Sequence, residues 1–385
     1  MKLIVTTSRR HTTPPEPSGY VYTIDLWKKK TIRCSQIIEP AFRELDNNPR
    51  GGMRGCKGIS ISDNLIAIAN SSMIFLYDHK WNLQRIITHP SCAGIHDILF
   101  HGNTLWVTSA RNDLLMQFDL SGNLLLHYYL RLPIKELNWK PTVLLLSDNI
   151  VNGTINFRDP RTHNSDEFNK AHVNSVCILQ NSDILVSLGL IPDTKFSMLL
   201  QAKSKLIQLG LWSLILRVNS QFSKLLGSNT DNRGNLKLIP AKAKSALIRI
   251  LPDGSHILSL DLTEMTVPSH SLILLPDNTV IYLNTTKGSV IHYEPISGNL
   301  ISSTKVTNGF LRGITRIAPH TFILGSSGEL LTFDLSNLQV TDSMKFSSDP
   351  LESVFDIDIL PSAASLPPKS FADQLDVDLI ELATR

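Results

Sequence analysis

The 385-residue sequence predicts an all-β fold, a six-bladed β-propeller, from three observations. Between Val267 and Leu338 one unit of four short runs rich in Val, Ile, Leu, Thr and aromatics occurs twice in succession, with turn residues such as Pro276-Asp277-Asn278 and Ser327-Gly328 between runs. That is the pattern of four antiparallel strands. In both copies the third run ends in an aromatic and an acid, Tyr293-Glu294 and Phe333-Asp334, and a turn leads on to Asn299-Leu300 or Asn337-Leu338. A repeat of about 40 residues built this way marks a propeller blade. The third observation is that the chain starts with three strand-like runs and ends with one, so that pairing them completes a blade and closes the ring.

Taken in order, Lys2–Ser8, Tyr20–Asp25 and Thr31–Ile38 are the three N-terminal strands, and Val354–Leu360 (VFDIDIL) is the strand that joins them. Gly51–Ile87 forms the next blade, with Tyr77-Asp78 and Asn82-Leu83 at the repeat positions, and Ile95–Leu130 follows with Phe118-Asp119. Over Asn138–Lys170 the repeat is lost. Leu144–Ile150 and Gly153–Phe157 read as a hairpin insertion at about 142–165, with a poorly matching seventh blade as the alternative. His172–Leu188 restarts the pattern and Ala246–Leu262 completes that blade. Between them, about 195–230 reads as a helical insertion: Phe196–Leu226 has no proline and carries apolar residues around most of a helix circumference, interrupted by Lys203, Lys205, Arg217 and Lys224. Those charges exclude a membrane span. They leave a rim-packed helix, a lid or peripheral contact with anionic lipid. The expected organisation is one propeller domain over 1–360 and a tail over 361–385, in which Phe371–Leu382 has an amphipathic pattern.

Net charge is only +3, so composition carries no general case for nucleic-acid binding. The four cysteines Cys34, Cys56, Cys92 and Cys177 form no CxxC pair and fit neither a zinc knuckle nor a disulfide framework. With too short an apolar run for a signal peptide at the start, a cytoplasmic setting is expected. No GxGxxG, P-loop, HExxH or GxSxG motif is present.

The blade alignment singles out one set of residues. The starts of the successive first strands carry Glu352, Arg54, His96, His172, His270 and Arg312. First strands are innermost in a propeller, so these positions ring one channel mouth. Three imidazoles, His96, His172 and His270, are of the type that ligates a divalent metal such as Zn²⁺, Fe²⁺ or Mn²⁺. Arg54 and Arg312 would favour a carboxylate or phosphate. Without a metal, the same ring is an anion pocket whose histidines transfer protons near neutral pH. Asn174 is a supporting partner, and strict strand alternation turns Asp97 away from His96.

These residues resemble a bacterial family of propeller proteins of uncharacterised function. The resemblance runs through His96-Asp97, Trp139-Lys140-Pro141, His172-Val173-Asn174-Ser175, Pro268-Ser269-His270-Ser271, Phe310-Leu311-Arg312-Gly313 and Leu324-Gly325-Ser326-Ser327. It departs from the family pattern at Lys140, Ser175 and Ser269. More distantly the chain is similar to six-bladed gluconolactonase, strictosidine-synthase and NHL propellers; the first of these hold a metal with Glu, Asn and Asp where this chain offers His and Arg. Two functions remain: an enzyme (hydrolase, lyase or isomerase) acting on a small anionic molecule, and a non-catalytic propeller that binds a ligand or protein on the same face.

Overall fold

A computed structural model describes residues 1–46, 52–130, 146–163, 168–169, 171–192, 243–262 and 270–374. These residues form six four-stranded antiparallel sheets arranged as a six-bladed propeller. The first blade combines β1 (Lys2–Arg9), β2 (Tyr20–Asp25) and β3 (Lys30–Gln36) with the last strand, β24 (Glu352–Ile359), in the order β24-β1-β2-β3. The others are consecutive: β4–β7 (Cys56–Ile61, Leu65–Asn70, Ile74–Asp78, Leu83–Ile87), β8–β11 (Ile95–His101, Thr104–Ser109, Leu114–Asp119, Leu124–Tyr129) and β12–β15 (Val173–Ile178, Ile184–Pro192, Ala243–Ile250, His256–Leu262). β16–β19 (His270–Leu274, Val280–Asn284, Ser289–Tyr293, Leu300–Lys305) and β20–β23 (Ile314–Ala318, Thr321–Gly325, Glu329–Asp334, Gln339–Lys345) complete the ring.

The strand pattern follows from position in the blade. Second and third strands are covered on both faces by neighbouring blades, so β5 (LIAIAN) and β17 (VIYLN) read as nearly continuous apolar runs and are buried throughout except for Leu65. Outer strands face water: β23 (QVTDSMK) buries only Met344. The aromatic-acid pair has a physical basis. Tyr77, Phe118, Tyr293 and Phe333 are fully buried between blades. The acid that follows accepts turn N–H groups: Asp78 from Lys80 and Asn82 (both 2.8 Å), Asp119 from Asn123 (2.8 Å), Glu294 from Ile296 (2.9 Å) and Asp334 from Ser336 (2.8 Å). Each pair thus anchors a blade and shapes its last turn.

Closure has two parts. β24 pairs along β1 from Leu3↔Ile359 to Arg9↔Glu352. Beyond it, residues 361–374 pass along the outer edge of the same blade. The Gln36 N–H donates to the Lys369 carbonyl (2.8 Å) and the Phe371 N–H to the Gln36 carbonyl (3.0 Å), a parallel bridge that covers part of the free β3 edge. Phe371 packs against Tyr77 (5.2 Å between ring centroids) and Trp81 (5.7 Å), and the Trp81 indole N–H donates to the Ser365 carbonyl (2.7 Å).

The hairpin expected at about 142–165 does not form in its described part. Residues 146–163 contain no strand; Ile150–Thr154 make one distorted helical turn, with Gly153 at φ +113°. Val151 and Phe157 are buried, so the segment is held by apolar anchors rather than by a strand ladder. The helical insertion at about 195–230, Phe196–Leu226 included, lies outside the described residues, as does most of Phe371–Leu382; its described start holds a short 3₁₀ turn, Ala372–Gln374. Among the described residues no helix is long and apolar enough to cross a membrane.

Removing the Phe371 ring leaves a hole beside Tyr77 and Trp81. Phe371→Ala is expected to lower the unfolding free energy by about 3 kcal/mol, read from the urea midpoint. Leu126→Ala, on an outer strand and 39% exposed, should change it by less than about 0.5 kcal/mol.

Candidate functional site

The inner strands β4, β8, β12, β16, β20 and β24 line the central channel, and five of them share one irregularity. Their pairing with the next strand slips early on: between Cys56 and Ile59, Ile95 and Ile98, Val173 and Ser175, and His270 and Leu272, while in β24 Phe355 is the unpaired extra residue. These are β-bulges, which break the two-residue alternation and re-aim side chains. Consecutive residues therefore face the channel, as His96-Asp97, His270-Ser271 and Phe355-Asp356 do. Gly58 sits in the β4 bulge because a Cβ there would stand 2.8 Å from the Ile98 nitrogen on the next blade.

Near the N-terminal ends of these strands the side chains meet in a plug. The His96 ring lies 4.9 Å from His172 and 5.2 Å from His270, centroid to centroid, and Phe355 is 5.6 Å from His96. Two cations lie over the Phe355 ring: Lys57 Nζ at 4.3 Å and Arg312 Cζ at 4.1 Å from its centroid, within cation–π range. Arg312 also bonds His270 Nε2 through Nη2. His96 Nδ1 meets Asn174 Oδ1 at 2.6 Å, and His172 Nδ1 meets Asn169 Oδ1 at 3.1 Å. An amide oxygen only accepts, so Nδ1 carries the proton in both rings and Nε2 keeps its lone pair. In His270 the guanidinium donates to Nε2, which leaves the proton on Nδ1.

Lys57 is 3% and Arg312 8% exposed, and neither forms an ion pair with a carboxylate among the described residues. Burial, followed by the repulsion of Arg54, Arg312, Arg111 and Arg10, holds the Lys57 amine well below its ordinary pKa. Burial and then Arg10 and Arg54 likewise disfavour the Arg312 charge, although a guanidinium keeps its proton in such surroundings. The histidines are neutral at pH 7. Burial, then Arg312 and Lys57, lowers His172 to about 4, and burial with the neighbouring cations lowers His96 and His270 well below the usual value. Two donors here, Arg312 Nε and Asn174 Nδ2, are buried without a hydrogen-bond partner.

The structure therefore brings His96, His172, His270, Arg312 and Asn174 together, and it adds Lys57 and Phe355, which the strand-start alignment does not pick out. Arg54 stands beside them, with Nε donating to Ser8 Oγ (3.0 Å). Glu352 does not join the ring. Its carboxylate is taken up inside the first blade by the hydroxyls of Thr7, Tyr22 (3.0 Å) and Ser347. The three-imidazole metal site is not formed either: among the described residues no three His, Cys, Asp or Glu side chains stand so as to hold a metal ion. Arg312 occupies Nε2 of His270, and Lys57 and Arg312 would repel a cation.

On the channel side of the plug lies a cavity of about 180 Å³, bounded by His96, His270 and Phe355 and extending along the strands to Leu99, Ile273 and Asp358. Asp97, contrary to strict alternation, faces it, because the bulge turns both His96 and Asp97 inward. Asp97 and Asp356 also tie blades together. Asp97 Oδ2 accepts the Val176 N–H (3.0 Å) and Asp356 Oδ2 the Ile59 N–H (2.9 Å), as Ser60, Ser175 and Ser271 do for Phe100 (2.9 Å), Ser271 (2.6 Å) and Gly313 (2.9 Å). Burial pushes the Asp97 carboxyl up to about 7 and Asp358 up to about 6; burial and Asp97 together push Asp356 well up.

No family model and no curated protein matches the chain. Among solved structures it is similar to a protein of unknown function from Bacteroides caccae, at 8% identity over 92% of this chain and 97% of that one, with a TM-score of 0.51. It is also similar to a chain of a nidogen/laminin complex, at 7% identity over 92% and 97%, with a TM-score of 0.50. Virginiamycin B lyase from Staphylococcus aureus aligns at 11% identity over 77% and 71%, with a TM-score of 0.43. At such identities the likeness shows the propeller fold alone.

Asp358 allows a test of channel burial by pH. With a native pKa of about 6 against 3.8 unfolded, the folded chain retains a proton that the unfolded chain loses as pH rises. Stability therefore falls across that window and the loss is complete above it. Asp358→Asn lacks this effect, while the histidines, whose contribution runs the other way, are common to both proteins. Between pH 3.8 and about 6 the wild type should lose about 1–3 kcal/mol relative to Asp358→Asn in denaturant titrations.

Proposed function

We propose that the plug end of the channel is a seat for a small anionic molecule and that the protein is an enzyme which moves a proton on that molecule. The observation that carries this reading is the pair of buried basic side chains, Lys57 and Arg312, with no carboxylate at ion-pair distance among the described residues and with Arg312 Nε unpartnered. Buried charge without a partner is costly, and an anion supplies the missing charge and acceptors together. A carboxylate or phosphate fits the forked guanidinium. Arg10, Arg54 and Arg111, which act on Lys57 or Arg312 through space, would draw such a ligand in.

The imidazoles supply the chemistry. Neutral at pH 7, with Nε2 lone pairs on His96 and His172, they can accept a proton, and a bound anion that offsets Arg312 and Lys57 raises their low basicity toward the operating pH. His270 keeps an N–H for donation. In the step proposed here a C–H bond next to the anionic group breaks, the proton passes to imidazole Nε2, and the carbanion left behind is stabilised by the adjacent cations. Return of the proton to a different atom gives an isomerase, and loss of a leaving group gives a lyase. Free thiols at Cys34, Cys56, Cys92 and Cys177 are compatible with a reducing compartment.

Calorimetry with small carboxylates and phosphate monoesters tests the seat. At least one is expected to bind, with affinity falling at least about tenfold in Arg312→Gln and in Lys57→Met. Failure of every anion to bind the wild type overturns the reading. For the chemical step, bound carboxylates are incubated in D2O and followed by proton NMR. Deuterium should enter next to the carboxylate with the wild type and not with His172→Gln, which retains binding; exchange that persists in His172→Gln removes that residue from the step.

A further inference from the structure

The cavity on the channel side of the plug has chemistry of its own. At five blade junctions a channel side chain accepts a backbone N–H from the next blade, and at three of these a serine hydroxyl does the work: Ser60, Ser175 and Ser271. Asp97 and Asp356 do it at the other two. The two half-buried carboxyls do more than the serines: Asp356 also accepts the N–H of its own neighbour Ile357 through Oδ1 (2.9 Å), and Asp97 likewise takes the Ile98 N–H. With about four lone-pair sites against a hydroxyl's two, each carboxylate keeps acceptor capacity for a donor in the cavity after both N–H groups are met. Asp356 and Asp97 act on one another through space, and both line the cavity.

A second, independent observation comes from Asn174. Only 1% exposed and lining the same cavity, it gives Oδ1 to His96 and leaves Nδ2 buried without a partner. Each of the three serines accepts through oxygen and retains its hydroxyl proton for donation. The lining thus mixes donors with acceptors. An ammonium ion, a donor only, would leave Asn174 and the hydroxyl protons unused. A carboxylate would face Asp97 and Asp356. A hydroxyl group both gives and takes, so a molecule carrying several fits the whole set. Volume sets the size: a cavity of about 150 Å³ admits a benzene-sized guest, so about 180 Å³ admits roughly six to eight non-hydrogen atoms.

From these observations we infer that the channel cavity binds a small neutral polyol of three or four carbons, held by Asp97, Asp356, Asn174 and the hydroxyls of Ser60, Ser175 and Ser271. This site borders the anion seat across His96, His270 and Phe355, but Lys57 and Arg312 do not line it.

Erythritol and glycerol, with 1,4-diaminobutane as the cationic comparison, are the probes for saturation-transfer NMR and calorimetry on the full chain. Erythritol is expected to bind the wild type and to weaken at least about tenfold in Asp97→Asn and in Asn174→Ala. Arg312→Gln, which removes the anion seat, should leave erythritol binding unchanged, so failure of one site is told from failure of the other. If Asp97→Asn does not fold, Asn174→Ala decides. Absence of erythritol and glycerol binding, binding equal in all variants, or binding of 1,4-diaminobutane in their place overturns the inference.

Discussion

The site depends on the β-bulges at the starts of the inner strands. A regular strand shows every second residue to the channel, and six such strands would line it with whatever one face carries. The slips at Lys57-Gly58, His96-Asp97, Asn174, Ser271 and Phe355 bring neighbouring residues to the axis instead. They also release backbone N–H groups from the ladder, and at Ile59, Val176 and Ser271 the adjacent blade takes them with a carboxyl or hydroxyl. One distortion thus aims the polar groups and ties the blades that carry them.

Electrostatics then divides the channel into two layers. Lys57 and Arg312 meet at Phe355, whose ring face offers partial compensation without a counter-charge. Beyond it, Asp97, Asp356 and Asp358 sit in surroundings that favour their neutral forms. Cations and carboxyls share the channel, yet Lys57 and Arg312 form no ion pair with any described acid. Buried groups held short of their best partners are characteristic of a site that takes its partner from outside. The rest of the ring supplies rigidity: β24 locks onto β1, and the strap that follows wedges Phe371 beside Tyr77 and Trp81.

Much of the fold is legible in the sequence because blades repeat a local solution. The aromatic-acid ending of the third strand buries one residue and caps a turn with the next, so Tyr77-Asp78, Phe118-Asp119, Tyr293-Glu294 and Phe333-Asp334 can be found by eye. The convergence of His96, His172 and His270 is also legible, since equivalent positions in a closed ring face one axis. Lys57, Phe355, Asp97 and Asp356 are not: they lie in bulges, where alternation gives the wrong direction, and a bulge leaves little trace in one sequence beyond a glycine such as Gly58. Glu352 shares the strand-start position but is captured by Thr7, Tyr22 and Ser347. Residue type suggests a metal at the three histidines, whereas the bond of Arg312 to His270 Nε2 and the basic groups around the rings disfavour one. Over 146–163 a few apolar anchors hold a helical turn where β-branched runs suggest strands.

The central claim is that Lys57 and Arg312 await an anion, and anomalous diffraction from crystals soaked in selenate examines it most directly. The account predicts an anomalous peak within ion-pair distance of both the Lys57 ammonium and the Arg312 guanidinium. Selenate found only on exposed surface arginines, with none within ion-pair distance of Lys57 or Arg312 at full soak, would contradict it.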